Sequence, residues 1–144
     1  MHFHAARLQG RVDRHGDLVP FSDQDRSRWD ATLIAQGRRE LRLSAAGNEL
    51  TAYYVEAAIA ELHADAASLD RTDWQAIVAL YETLIGIQPS PVVALNRAVA
   101  IAQRDGPARG FEEIERIDDR RPYLPLPFTC LSYHATYRCS RSRA

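Results

Sequence analysis

Apolar residues recur along most of this chain at intervals of three and four, and the places where that rhythm starts and stops mark the elements. Met1 to Arg11 reads as one short helix, with Gly10 and the Asp13–Gly16 stretch as the loop after it. Ser22 and Asp25 form a serine-acid capping pair, and Trp29, Leu33, Ile34, Gly37 and Leu41 then recur at helical spacing. The spacing predicts a helix over 23–45, ended by Gly47 and Asn48, the two residue types most tolerant of left-handed backbone.

A third helix over 49–64 places Tyr54, Ala58 and Leu62 on one face, and Ala57, Ala60 and Ala64 keep the adjoining surface small enough for close helix approach. The fourth opens on Thr72 as cap with Gln75 three residues on, and sets Trp74, Ile77, Val78, Tyr81, Leu84 and Ile85 on an apolar stripe. Pro89-Ser90-Pro91 breaks it: Ser90 caps a fifth helix, Pro91 takes its first position, and Val92, Leu95, Val99 and Ala102 form its stripe as far as Arg104. Asp105-Gly106-Pro107 is a turn, and a sixth helix over 108–117 presents Phe111, Ile114 and Ile117. No segment alternates with period two, so the predicted class is all-α, built of antiparallel helix pairs. The expected core is Trp29, Leu33, Leu62, Trp74, Ile77, Tyr81, Leu84, Leu95 and Val99.

Composition limits what such a fold can do. The 144 residues are 46% hydrophobic and 26% charged, ordinary for one globular domain and too apolar for a disordered chain. The net charge is −1, which lacks the basic excess of a nucleic-acid-binding domain, so direct DNA binding by this segment is not expected. Every one of the 18 basic residues is arginine, which points to a GC-rich genome. Cys130 and Cys139 are too few for a disulfide framework and lack zinc-site spacing, and no apolar run spans a bilayer, so a cytoplasmic protein without a membrane is expected. From Arg120 the rhythm stops, and Pro122, Pro125, Pro127 and an Arg/Ser/Cys run make 120–144 an irregular tail.

Helices four to six also carry a repeat-like pattern. Ala76, Leu80 and Pro89 lie where a tetratricopeptide unit places its small, large and terminating residues, and Leu95, Val99 and Gly106 begin the pattern again. A free-standing helical-repeat scaffold that binds a peptide is one reading of this.

Specific runs point further. Asp23-Gln24-Asp25-Arg26-Ser27-Arg28-Trp29-Asp30, Ala57-Ala58-Ile59-Ala60 through His63-Ala64, Thr72-Asp73-Trp74, and Pro89-Ser90-Pro91-Val92-Val93-Ala94-Leu95-Asn96-Arg97-Ala98-Val99-Ala100 stand together in this chain. Over about residues 3–118 the chain resembles the tetratricopeptide-like C-terminal extension of extracytoplasmic-function RNA polymerase sigma factors (sigma-24 type), here without the sigma regions. The resemblance implies a tetratricopeptide-like domain over 1–119, with 1–20 as the end of a preceding region. It implies a regulatory role in transcription initiation through protein contacts, with the sigma regions and core RNA polymerase as partners and a small DGPF-type protein as a further candidate. No promoter-reading helix-turn-helix is present, and the tail resembles the product of a shifted reading frame or truncated gene, so a non-functional remnant is the alternative.

The most charged cluster lies within 23–30. A calcium loop needs a glycine at its sixth position, where counting from Asp23 finds Arg28, so capping and helix-dipole compensation account better for the aspartates. Capping needs one acid and three are present, so Asp23, Gln24, Arg26 and Arg28 are the expected partner-binding residues, with Trp29 anchoring the helix. His2, His4, His15, His63 and His134 lack ligand spacing and read as surface or packing residues. No nucleophile-base pair, phosphate loop or convergent carboxylate pair is legible, so neither catalysis nor a cofactor is expected.

Overall fold

The computed structural model describes residues 1–47 and 50–117. The expected behaviour of Cys130, Cys139, His134 and the proline-rich tail lies outside these residues, as does Asn48 at the predicted end of the second helix. All regular structure among the described residues is helical, as the apolar spacing predicted. Six α-helices follow one another: α1 His2–Ala6, α2 Ala31–Ser44, α3 Ala52–Asp65, α4 Trp74–Ile87, α5 Pro91–Asp105 and α6 Pro107–Glu115. Short 3-10 turns stand at Leu8–Gly10, Phe21–Asp23, Arg26–Arg28 and Leu69–Arg71. Val12 and Leu18 form an isolated antiparallel bridge. No helix among the described residues is long and apolar enough to cross a membrane.

Aspartates correct the predicted helix starts. Asp25 accepts from the Ser27 amide at 3.0 Å and holds a single 3-10 turn, while Asp30 accepts from Thr32 and Leu33 at 2.8 and 3.0 Å and caps α2. Both have extended backbone, so the helix expected from residue 23 begins only at Ala31, and Ser22 has no capping role. Thr51, whose hydroxyl accepts from the Tyr54 amide, caps α3. At α4 it is Asp73, accepting from Ala76 at 2.9 Å, that does the work expected of Thr72. Thr72 is buried instead.

The chain forms two compact units, divided between Ala76 and Ile77. In the first, α1, α2 and α3 pack on one another. Phe3, Ala6, Trp29, Leu41, Val55, Ile59 and Ala66 are its buried apolar residues. Gly37 makes room for α1: a Cβ there would stand 3.0 Å from the Phe3 ring. Arg38 of α2 pairs with Asp65 of α3.

In the second unit Ile77, Val78 and Leu84 are the buried residues of α4, and Val93, Ala98, Ala100, Ile101 and Ala102 those of α5. Gly106, at φ +101°, connects α5 to α6, a left-handed position suited to glycine. The helices then close on each other so tightly that a Cβ on Gly110 would stand 2.5 Å from that of Ala102. The stripe read for α5 is therefore rotated: Leu95 packs half-buried against the Ala98–Ala102–Ile114 cluster, and Val92 is exposed. Leu33, Leu62, Trp74, Tyr81 and Val99, expected in the core, are likewise only partly buried.

Candidate functional site

The segment around Asp23–Asp30 folds into a clasp rather than a helix. Because two successive aspartate caps keep it turning, Gln24, Arg26 and Trp29 point back into the first unit. Trp29 is 5% exposed, and its Nε1 lies against Gly10, where a Cβ would stand 2.8 Å away. Arg26 reaches across the sequence: one Nη donates to the carbonyls of His63 and Ala66, both at 2.8 Å, and the other to the Thr72 hydroxyl at 3.3 Å. Those carbonyls belong to the end of α3, where the last C=O groups lack intrahelical donors and a guanidinium satisfies both the hydrogen bonds and the helix dipole. The Thr72 hydroxyl donates onward to the Ser68 carbonyl at 3.2 Å.

From the other side, Arg7 donates through Nε and Nη2 to Gln24 Oε1 at 3.3 Å each, and Gln24 Nε2 donates to the Val19 carbonyl at 3.1 Å. The two guanidinium groups share two aromatic rings. Arg7 stands 4.3 Å from the Phe21 centroid and 5.3 Å from that of Trp29, and Arg26 stands 5.4 and 5.3 Å from the same rings. Such stacking is worth about 0.5–2 kcal/mol per pair, more as water is excluded. His63 completes the cluster, edge-on to Phe21 at 5.1 Å and to Trp74 at 5.3 Å.

Among the described residues neither guanidinium of this cluster forms an ion pair with a carboxylate, and its electrostatics follow. Burial, then the charges of Arg26 and Arg7, push the His63 imidazole down to about 4, so it is neutral near pH 7. Its Nδ1 is buried with no hydrogen-bond partner. Burial, then Arg11 and Arg26, bring Arg7 down to about 10. Asp25 is held below the ordinary carboxylate range by the Ser27 hydroxyl and amide. The cluster joins Arg7, Gln24 and Arg26 to the end of α3. Its chemistry is that of a brace with an outward face.

Of the four expected contact residues, Gln24 and Arg26 are turned inward and carry the clasp. Asp23 and Arg28 are exposed, Arg28 donating to the Val12 carbonyl at 3.4 Å. The sequence reading missed Arg7, Phe21 and His63 as members of the cluster. Their separation along the chain hides them, although Phe21 and Trp29, three residues before and five after Gln24, were a visible signal. It also missed the exposed Leu8, Val12 and Leu18.

In the second unit an open groove of about 410 Å³ is lined by Ile85, Pro89, Pro91, Ala94, Arg97 and Ile117. Arg97 is held beside it by Glu113 at 2.7 Å and Glu82 at 3.3 Å. Among the described residues no group of three or more His, Cys, Asp or Glu side chains converges as a metal site.

Residues 1–45, which hold α1, the clasp and α2, match a family of unknown function, DUF6596. The chain is also 38% identical over 115 residues to a protein described as "Uncharacterized protein R00370" from Rhizobium meliloti (strain 1021). That alignment covers 80% of this chain and 27% of the relative, so the chain spans about a quarter of the relative's length. No solved structure matches it.

Proposed function

We propose that this chain is a regulatory, non-catalytic interaction domain of an alternative RNA polymerase sigma factor, a tetratricopeptide-like extension that acts through protein contacts in the cytoplasm. The sigma regions and core polymerase are its partners in the full-length protein, with a small DGPF-type protein as an additional one. The domain does not read DNA itself and uses no cofactor.

The observation that carries the reading is the use made of Asp23–Asp30. One of the runs that carry the sigma-factor resemblance is the one that ties Arg7, Gln24 and the end of α3 into one unit while leaving Asp23 and Arg28 in solvent. A relative about four times as long as the matched segment is in keeping with a domain that works beside further regions.

The test is affinity capture. The chain, immobilised, is expected to retain purified sigma regions or core polymerase from a protein that carries this extension. Retention of neither would reject the reading.

The groove at Ile85 and Arg97 favours a second reading, a free-standing scaffold for an extended peptide. That reading expects peptide binding to be lost on filling the groove by Ala94→Trp, with no retention of polymerase components.

A further inference from the structure

His63 stands in a seam of the first unit. Its ring lies edge-on to Phe21 of the clasp at 5.1 Å and to Trp74 at 5.3 Å, and its own carbonyl accepts from Arg26. The Phe21 ring is shared three ways, because Arg7 stands 4.3 Å and Arg26 5.4 Å from its centroid. An imidazole and two guanidinium groups therefore gather about one benzene ring.

These surroundings favour the neutral imidazole. Nδ1 is buried and has no hydrogen-bond partner, so no acceptor waits for a second N–H. The charges that act on the ring are Arg26, from the 3-10 turn before α2, and Arg7, just past the end of α1. Phe21 and Trp74, the rings against it, carry none. The acids nearest in sequence are engaged elsewhere: Glu61 and Asp65 both face Arg38, and Asp73 accepts from the Ala76 amide.

The seam is separable from the rest of the unit. Phe3, Ala6, Leu41, Val55 and Ile59 are buried where α1, α2 and α3 pack on one another. Across the seam run the bonds of Arg26 to His63, Ala66 and Thr72, together with the Phe21–His63 contact. A charge on His63 stands beside the guanidinium that makes all of those bonds, and moving the clasp away lets the two cations part and become hydrated.

We propose that this seam is an acid-operated latch: a proton taken from solvent by His63 swings the clasp off the end of α3 and bares Arg26, while α1, α2 and α3 stay packed. Arg26 is one of the residues expected from the sequence to contact a partner, and the closed latch turns it inward. The latch thus sets whether that guanidinium is available for contact. Burial fixes the sign, since the open form takes the proton more readily. The latch is closed above pH 6.5, and the ratio of open to closed chains grows about tenfold per pH unit from there toward 4.

Trp29 and Trp74, the chain's two tryptophans, flank the seam. Acrylamide quenching of the whole chain's fluorescence from pH 7 to 4 therefore reads the opening, and far-UV circular dichroism reads the helices. Rising quenching at constant helical signal is expected, with the His63 ring resonance titrating over the same range in nuclear magnetic resonance. His63→Leu and His63→Gln, neutral side chains of different shape, should each flatten the rise. His4→Asn should leave it as in the parent, although His4 is also lowered by burial. Four results overturn the proposal: a helical signal lost in step with the quenching, constant quenching while His63 titrates, an unchanged rise in both His63 variants, or a rise abolished by His4→Asn.

Discussion

The Arg26 guanidinium donates to the main-chain carbonyl of His63 at 2.8 Å, across 37 positions of sequence. That bond joins the turn before α2 to the last turn of α3, and with the bonds to Ala66 and Thr72 it makes Arg26 the widest-reaching side chain of the first unit. Arg26→Ala should therefore destabilise the chain by about 2–3 kcal/mol, since hydrogen bonds to a charged group are lost and buried carbonyls are orphaned. Arg26→Lys should recover little, because an ammonium does not fork between the end of α3 and Thr72. Arg28→Ala should fall within about 0.5 kcal/mol of the parent. Urea denaturation of the three variants checks the ranking.

His63 makes the stability pH-dependent with a defined sign. Its folded value, about 4, lies below the 6.5 of an unfolded chain, so the unfolded state binds the extra proton. Stability from this group is complete above pH 6.5 and falls as the pH drops toward 4, by about 3 kcal/mol at most. His4, also lowered by burial and by Arg7, acts in the same direction. Denaturant midpoints between pH 7 and 4 should show the slope in the parent chain and a flatter one in His63→Leu.

Two glycines should respond oppositely to alanine. Gly110→Ala forces a methyl group onto Ala102 and should cost about 1–3 kcal/mol by overpacking. Gly86, within α4, has nothing within 4 Å of its would-be Cβ. Gly86→Ala should stabilise by about 0.5–1 kcal/mol through helix propensity and a less flexible unfolded chain. Melting temperatures displaced in opposite directions are the expected result.

Leu84 and Val92 test the burial pattern of the second unit. At 2% exposure, Leu84→Ala should cost about 2–5 kcal/mol. Val92, 42% exposed although it falls on the apolar stripe read for α5, should cost less than about 0.5 kcal/mol when changed to alanine.

The contrast between those two residues shows how far the sequence carries. The stripe of α4 was legible in Ile77, Val78 and Leu84, because a helix with one strongly apolar face has one way to turn. In α5 alanines and valines surround the axis, and the close approach of Gly110 selects the Ala98–Ala102 side over Val92. The caps were half legible. Ser90 caps α5 as read, but several aspartates and hydroxyls compete before α2 and α4, and only tertiary contacts decide that Thr72 serves Arg26 and Asp73 the helix. The clasp itself was visible only as a surplus of charge at 23–30. Its partners Arg7, Phe21 and His63 are joined by folding alone.

The central claim is that this domain controls a sigma factor through contacts between proteins. In vitro transcription by core RNA polymerase tests it most directly, comparing a full-length sigma factor that carries the domain with the same protein lacking it, on the sigma factor's own promoter. The account predicts a change in transcript yield of about tenfold or more on removal, with binding of the isolated sigma regions to promoter DNA unaltered. Equal yields from the two proteins would contradict it.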